Sequence, residues 1–224
     1  RDIGPQISVD ALLHDTNEAM GELSRNYAEV VNKLEALVKE KDQLQVELQK
    51  ADEKLATLSL TDGISGLPNH RAFREALLRD LARADRSKTH IALVVLDLDH
   101  FQQVNENYGP SSADLVLAGV SEELLDSVRV SDVLARVGGE KFALLLPATN
   151  LQGALIVAER VRTRIAERTF TGPRGPFHVT ASIGVAVMLG PHCRGRDGAI
   201  LDAAESGLNL AKQAGRNRVM VGSV

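Results

Sequence analysis

The sequence RVGGEKF at residues 136–142 lies between two apolar runs, VLA at 133–135 and ALLL at 143–146. Two apolar runs joined by a glycine pair are typical of a β-hairpin with a two-residue turn, because glycine accepts the positive φ angles that such turns need. The pattern therefore predicts a hairpin that presents the acidic side chain of Glu140 at an exposed tip.

A second acidic cluster, Asp97-Leu98-Asp99, follows the apolar run at 91–96. That run predicts a central strand covered on both faces. Carboxylates at the ends of neighbouring strands suit hard divalent cations, which prefer oxygen ligands and keep positions open for phosphates. The two acidic segments together indicate a metal-assisted phosphate site, whereas the plainer alternative is a solvated strand end.

The sequence GGEKF at 138–142 resembles the signature of the GGDEF family, the diguanylate cyclases, which is usually GG(D/E)EF. Residues 62–73 resemble the family's opening motif D-x-L-T-G-L-P-N-R-R-x-F, and residues 97–109 resemble D-x-D-x-F-K-x-x-N-D-x-x-G-H. Residues 211–217 match A-K-x-x-G-R-N. The resemblance covers about residues 58 to 224. The chain departs from the family pattern at His70, Gln102, Pro110, Ala113 and Lys141.

Hydrophobic periodicity along this segment alternates between helix and strand, which indicates an α/β domain. The resemblance implies the same class: a GGDEF (nucleotidyl-cyclase-like) domain with a central mixed β-sheet flanked by helices. The predicted elements are helix 68–86, strand 91–98, helix 105–129 with a break at Gly109-Pro110, hairpin 132–146, helix 151–168, strand 177–189, helix 201–214 and strand 218–221.

Residues 1–58 are predicted to form an N-terminal helical coiled-coil stalk, and residues 59–224 the GGDEF domain. Alternating spacings of three and four define a heptad seam, which Lys41 interrupts. A seam this narrow favours a parallel homodimer, whereas the alternative is a long amphipathic helix packed on its own domain. The seam positions are Met20, Leu23, Tyr27, Val30, Leu34, Leu37, Lys41, Leu44, Leu48, Ala51, Leu55 and Leu58.

The opposite face of the stalk is acidic, and two interpretations stay open. It is either a solvated surface, or its first part, His14 to about Tyr27, docks a regulatory protein.

Composition narrows the function classes. A net charge of −4 disfavours nonspecific nucleic-acid binding. Cys193 is a single cysteine, which excludes an internal disulfide and fits a reducing, cytoplasmic compartment. The apolar runs are far shorter than the roughly 20 residues of a membrane helix, so we expect no membrane segment in this chain.

The resemblance implies an enzyme that condenses two GTP molecules to cyclic di-GMP with loss of two pyrophosphates. Its catalytic positions would be Asp97, Glu140 and Lys141, where Lys141 is the altered position. Its Mg²⁺ or Mn²⁺ ligands would be the carboxylates of Asp97 and Glu140 and the backbone carbonyl of Leu98.

The resemblance also assigns the substrate contacts. Asn105 and Asp114 would bind guanine, since an amide and a carboxylate match its mixed edge, and Phe101 belongs to the same motif. Lys212 and Arg216 would bind the phosphates. The plainer alternatives are a helix N-cap for Asn105 and charges that favour the helix dipole for the two cations.

The tetrapeptide RVSD, from Arg129 to Asp132, resembles the family's R-x-x-D inhibitory product site, with Arg160 as an arginine from a second subunit. The expected function is therefore a homodimeric cyclase that its product inhibits.

Lys141 opposes cation binding and leaves three explanations open: a degenerate member that only binds nucleotide, a glutamate-to-lysine change in an active cyclase, or a lysine that swings away. A cyclic di-GMP or GTP receptor and a stalk-mediated interaction protein are the alternative functions.

Overall fold

The computed structural model describes residues 20–21, 29, 31–35, 37–47, 59–191 and 193–224. The chain falls into two units, Arg1–Leu58 and Ser59–Val224.

The described residues of the first unit are helical. Five of them are predicted seam positions, namely Lys41 and four apolar residues, and each apolar residue is more than half exposed: Met20 67%, Leu34 56%, Leu37 60% and Leu44 58%. An apolar seam with this exposure is what a partner helix would cover, and the parallel dimer stays a prediction. The described residues do not include the seam positions Leu23, Tyr27, Val30, Leu48, Ala51, Leu55 and Leu58, nor most of the segment predicted to dock a regulator.

The second unit alternates helices with strands in the described residues. In chain order the elements are α1 His70–Ser87, β1 His90–Leu98, α2 Phe101–Tyr108, α3 Pro110–Leu125, β2 Val133–Gly138, β3 Lys141–Pro147, α4 Leu151–Glu167, β4 Phe170–Gly172, β5 Gly175–Phe177, β6 Ala181–Leu189, α5 Asp197–Gln213 and β7 Val219–Val221.

Five strands form a sheet in the order β2-β3-β1-β6-β7, in which only the β6–β7 pair is parallel. The central strand β1 buries alternate side chains on the two faces. Ala92, Val94 and Leu96 pack in one core with α3 and α4. Ile91, Leu93 and Val95 pack in the other core with α1 and α5. The expected fold class, a mixed sheet flanked by helices, is confirmed.

The break predicted at Gly109-Pro110 is confirmed. The segment predicted as helix over 105–129 is two helices, α2 and α3, because Gly109 has φ 84° and Pro110 begins the second one. The strand predicted over 177–189 begins at Ala181. The residues before it form a separate short hairpin, β4–β5, whose Phe177 stacks on Tyr108 with ring centroids 4.1 Å apart.

Helix α5 starts four residues earlier than predicted and lies unusually close to β6. A Cβ atom added at Gly184 would collide with the backbone of Ala204 and Leu208 on that helix. Glycine at this position therefore allows the close approach of helix and strand. The approach fixes where α5 places its polar side chains relative to the strand ends.

Candidate active site

The two predicted acidic segments meet at one end of the sheet. Strands β1 and β3 are antiparallel partners, and their register places Asp97 opposite Lys141. Glu140 lies in the turn immediately before Lys141, and its carbonyl oxygen accepts a hydrogen bond from the Leu98 N–H at 3.3 Å. The structure thus brings the end of β1 and the hairpin tip together, as the sequence predicted.

The turn itself differs from the prediction. Gly138 pairs with Lys141, so the two turn residues are Gly139 and Glu140, and neither glycine of the pair has a positive φ angle. The pairing register also shifts between Arg136 and Gly138, just before the turn. A Cβ atom at either glycine would meet open space, so the pair leaves the backbone of the tip accessible.

A cavity of about 390 Å³ opens beside this tip. Its walls come from the end of β1, the start of α2, the hairpin turn and the end of α5, and they carry both carboxylates and both cations that the sequence assigned to phosphate chemistry. The lining residues include Asp97, Leu98, Asp99, Phe101, Glu140, Lys212 and Arg216.

Asp97 is the buried carboxylate of this cavity, with 6% of the residue exposed. Its Oδ1 lies 2.8 Å from the Lys212 ammonium. Burial raises the pKa of Asp97, and the Glu140 charge adds to the rise, although the Lys212 hydrogen bond and the Lys141 charge oppose it. Asp97 and Glu140 are therefore close enough to repel each other, and a cation between them would relieve that repulsion.

Asp99, although it lines the cavity, has its oxygens occupied by the protein. It accepts hydrogen bonds from the hydroxyls of Thr180 and Ser182 at 2.7 and 2.6 Å and from the Asn217 N–H at 3.1 Å. These bonds tie the loop that follows α5 to the sheet. Asp99 therefore positions the segment that carries Arg216.

The residues present fit a divalent ion held partly by substrate. No group of three or more His, Cys, Asp or Glu side chains among the described residues could hold a metal by itself. Two carboxylates and a backbone carbonyl are, however, typical of Mg²⁺ sites that phosphate oxygens complete. In the structure the ammonium of Lys212 supplies the cation next to Asp97.

Lys141 forms its ion pair with Glu205, although it lies opposite Asp97 in the sheet. Its Nζ donates to both carboxylate oxygens of Glu205, each at 3.0 Å. Glu205 lies on α5, 64 residues along the chain from Lys141. Glu205 carried no signal in the sequence, because residues this far apart in the chain show no local pattern that marks their contact.

The two predicted guanine contacts do not line this cavity. Asn105 lies inside α2 and Asp114 on α3, and both side chains are exposed. Because α2 begins at Phe101, Asn105 is not the helix N-cap that the alternative assigned to it. The role of Asn105 and Asp114 in guanine binding stays a prediction.

The residues of the predicted product site lie in two neighbouring cavities. Arg129 and Arg160 line one of about 320 Å³, and Arg129 and Asp132 line another of about 640 Å³. The Asp132 carboxylate accepts the Arg129 N–H at 2.9 Å, while Arg160 donates to the carbonyl oxygen of Ser127 at 2.6 Å. Arg160, expected from a second subunit, thus shares a cavity with Arg129 of its own chain.

Arg136 connects the hairpin tip to the loop that precedes α1. Its side chain, 9% exposed, donates to Asp62 at 2.8 Å and twice to the carbonyl oxygen of Gly139 at 2.8 and 2.6 Å. Burial by itself raises the pKa of Asp62, but hydrogen bonds from Ser65 and Arg136 outweigh it and leave the pKa lowered. The bonds hold the backbone next to Glu140 in place.

We expect Asp62→Asn to lower the free energy of unfolding at pH 7 by about 1–2 kcal/mol, since it leaves a buried guanidinium without its carboxylate. A carboxyl whose pKa is lowered by folding stabilises the protein above its unfolded pKa of about 4, and this contribution disappears as the pH falls through the folded pKa. The difference between variant and parent should therefore shrink in urea unfolding below about pH 4.

Asp126→Asn is the matched control, because Asp126 pairs with Arg164 at the surface with 70% of its side chain exposed. An equal loss of stability in both variants, or a difference independent of pH, would contradict the assignment to Asp62.

Comparison with known proteins agrees with this geometry. Residues 59–218 match the family profile "Diguanylate cyclase, GGDEF domain". The diguanylate cyclase DgcP of Pseudomonas aeruginosa is 34% identical over 223 residues, which cover 96% of this chain and 33% of DgcP. The chain spans less than half the length of the curated relatives that it matches.

Two solved structures are similar along most of the chain. The coiled coil and GGDEF domain of DgcB from Caulobacter crescentus, in complex with c-di-GMP, is 27% identical with a TM-score of 0.69, covering 85% of this chain and 99% of that one. The diguanylate cyclase SiaD from Pseudomonas aeruginosa, in complex with its activator SiaC, is 32% identical with a TM-score of 0.65, covering 96% and 80%.

Within the described residues, no helix combines the length and the apolar character that a membrane crossing requires. The family match covers the end of β1, the hairpin tip, Lys212 and Arg216, which together line the cavity. The chain belongs to the GGDEF-domain family of diguanylate cyclases.

Proposed function

We propose that this protein condenses two GTP molecules to cyclic di-GMP and two pyrophosphates, as a homodimer in which each protomer holds one GTP. The observation that supports this most directly is the cavity in which Asp97 and Glu140 face Lys212 and Arg216. Paired carboxylates and paired cations in one cavity suit a metal-bound triphosphate.

Each residue has a role in this proposal. Lys212 and Arg216 bind the outer phosphates, since ammonium and guanidinium groups give short charge-assisted hydrogen bonds to phosphate. Asn105 and Asp114, which lie outside the cavity lining, bind guanine, and Phe101, half-buried at the start of α2, lines the cavity. Asp97, Glu140 and the Leu98 carbonyl would hold Mg²⁺ or Mn²⁺, which neutralises phosphate charge in the transition state.

The chemical step is an in-line attack by the 3′-hydroxyl of one GTP on the α-phosphorus of the other. One P–O bond forms, the bond to pyrophosphate breaks, and the hydroxyl proton passes to solvent. The same step, with the two nucleotides in exchanged roles, closes the ring. The protein contributes mainly by positioning the two nucleotides and stabilising charge.

Incubation of the purified chain with GTP and Mg²⁺, followed by chromatography, tests the proposal: cyclic di-GMP and pyrophosphate support it, and unchanged GTP refutes it.

The stalk is proposed to bring together two GGDEF domains, each with one bound GTP. The exposed seam at Leu34, Leu37 and Leu44 favours a partner helix, and the similar DgcB structure comprises a coiled coil together with its GGDEF domain. A regulatory protein on the stalk is a further part of the proposal, for which the activator complex of SiaD is the precedent.

Product inhibition is proposed at Arg129, Asp132 and Arg160, where exposed guanidinium groups border the two cavities.

We expect Arg129→Ala to weaken cyclic di-GMP binding about tenfold or more in calorimetry, because a guanidinium–phosphate contact is lost. Arg174→Ala, which removes another exposed arginine, is the control and should leave the affinity unchanged. Equal affinities of parent and Arg129→Ala would refute the site.

The second candidate function is a cyclic di-GMP receptor without turnover. Lys141 favours it, since a positive charge at the fourth motif position opposes cation binding. A chain that binds cyclic di-GMP in calorimetry but leaves GTP unchanged would establish this function instead.

A further inference from the structure

Two lysine–carboxylate pairs connect α5 with the strand ends. Lys141, the first residue of β3, binds both oxygens of Glu205 at 3.0 Å. Lys212 lies 2.8 Å from Asp97, the penultimate residue of β1. Glu205 and Lys212 are seven residues apart, close to two helical turns, so they project from the same side of α5. The helix therefore presents one carboxylate and one ammonium to this end of the sheet.

The strand register makes Asp97 the alternative partner of Lys141. The two residues are direct cross-strand neighbours, so their side chains leave the sheet on the same face. An ammonium that binds Asp97 would place a fixed positive charge on a carboxylate that the proposed reaction needs for a divalent ion. Glu205 competes for that ammonium with two oxygens at hydrogen-bonding distance.

The fold fixes the position of Glu205. It follows Ala204 on α5, whose carbonyl oxygen lies so close to Gly184 that a Cβ atom there would collide with it. Ala204 is fully buried, whereas 39% of the Glu205 side chain is exposed. The carboxylate thus extends from a closely packed turn of helix toward the start of β3.

We propose that Glu205 is a positioning residue that holds the Lys141 ammonium away from Asp97 and so keeps the active-site carboxylates available for the metal-bound nucleotide. The proposal rests on the proposed function and extends it: a carboxylate on α5 compensates for the lysine at the fourth place of the motif. Glu205 acts through Lys141 and touches no reacting atom.

The test measures binding of 3′-deoxy-GTP with excess Mn²⁺ to the full chain by calorimetry. This analogue lacks the attacking hydroxyl, so no bond forms and affinity is measured without turnover. We expect Glu205→Gln to weaken binding about fivefold, because the released ammonium turns to Asp97. Asp202→Asn removes one negative charge from the same helix without touching Lys141, and it should change affinity by less than about twofold.

A double-mutant cycle separates the positioning role from a structural one. With Lys141→Met as the background, Glu205→Gln should change the affinity by less than about twofold, since no ammonium is left to position. If Glu205→Gln lowers the affinity equally with and without Lys141, or if Glu205→Gln and Asp202→Asn lower it equally, the role of Glu205 is overturned and the proposed function is not affected. A folded parent chain that binds no nucleotide overturns the proposed function and this inference with it.

Discussion

Replacing either strand-end carboxylate, as Asp97→Asn or Glu140→Gln, will lower the rate of cyclic di-GMP formation by about a thousandfold. Both changes keep the size of the side chain and remove a charge from the cavity. Asp97 is the stronger case, because its carboxylate is buried and its Lys212 partner would then be left without an anion. The measurement is the initial rate of product formation from GTP at saturating Mg²⁺.

The expected loss has to be separated from a loss of folding. Asn at position 97 spares the cost of burying a charge, so we expect the thermal midpoint of Asp97→Asn to stay close to that of the parent. Asp202→Asn, an exposed carboxylate on α5, is the control for charge alone and should keep most of the activity. Retention of activity above about a tenth in both site variants would remove Asp97 and Glu140 from the catalytic machinery.

Much of the fold was predictable because its signals are local. The apolar run at 91–96 and the glycine pair at 138–139 each lie within a few residues of the structure that they specify. Together they located β1 and the β2–β3 hairpin to within two residues. The prediction that two acidic strand ends meet followed from pairing these strands, and the register confirms it.

The errors have physical causes. Glycine can serve a positive φ angle or a close approach of two backbones, and the sequence does not show which of the two applies. Gly139 in the turn has neither a positive φ angle nor a close neighbour, whereas Gly184 lies directly against α5. The predicted start of the strand over 177–189 was wrong, because Phe177 belongs to a separate hairpin and stacks on Tyr108. That contact depends on packing between segments far apart in the chain.

The same limit applies to the site. Asp97, Glu140, Lys212 and Arg216 were predicted as site residues because the family motifs mark them, and the four residues line one cavity. Glu205 and Arg136 were missed as partners, since one binds a residue 64 positions away and the other a residue 74 positions away. Contacts of this kind are visible only once the sheet has placed α5 and the loop before α1.

Lys141→Glu will raise the rate of cyclic di-GMP formation, roughly tenfold to a hundredfold. The change restores the acidic residue that is usual in the motif and alters the local charge by two units. In the parent, Glu205 already forms an ion pair with Lys141, and both side chains are more than a third exposed. Solvent screening therefore reduces the gain to about 1–3 kcal/mol of transition-state stabilisation.

Lys141→Glu also has a cost in stability, because it leaves two carboxylates facing each other where Lys141 and Glu205 formed an ion pair. The double variant Lys141→Glu/Glu205→Gln should therefore be more stable than Lys141→Glu, and Lys141→Met should show an intermediate rate. If the rate of product formation falls from glutamate to methionine to lysine at position 141, the charge of this side chain determines the rate. If all three variants form product at the parent's rate, the lysine does not limit catalysis, and the ion pair with Glu205 is sufficient by itself to neutralise it.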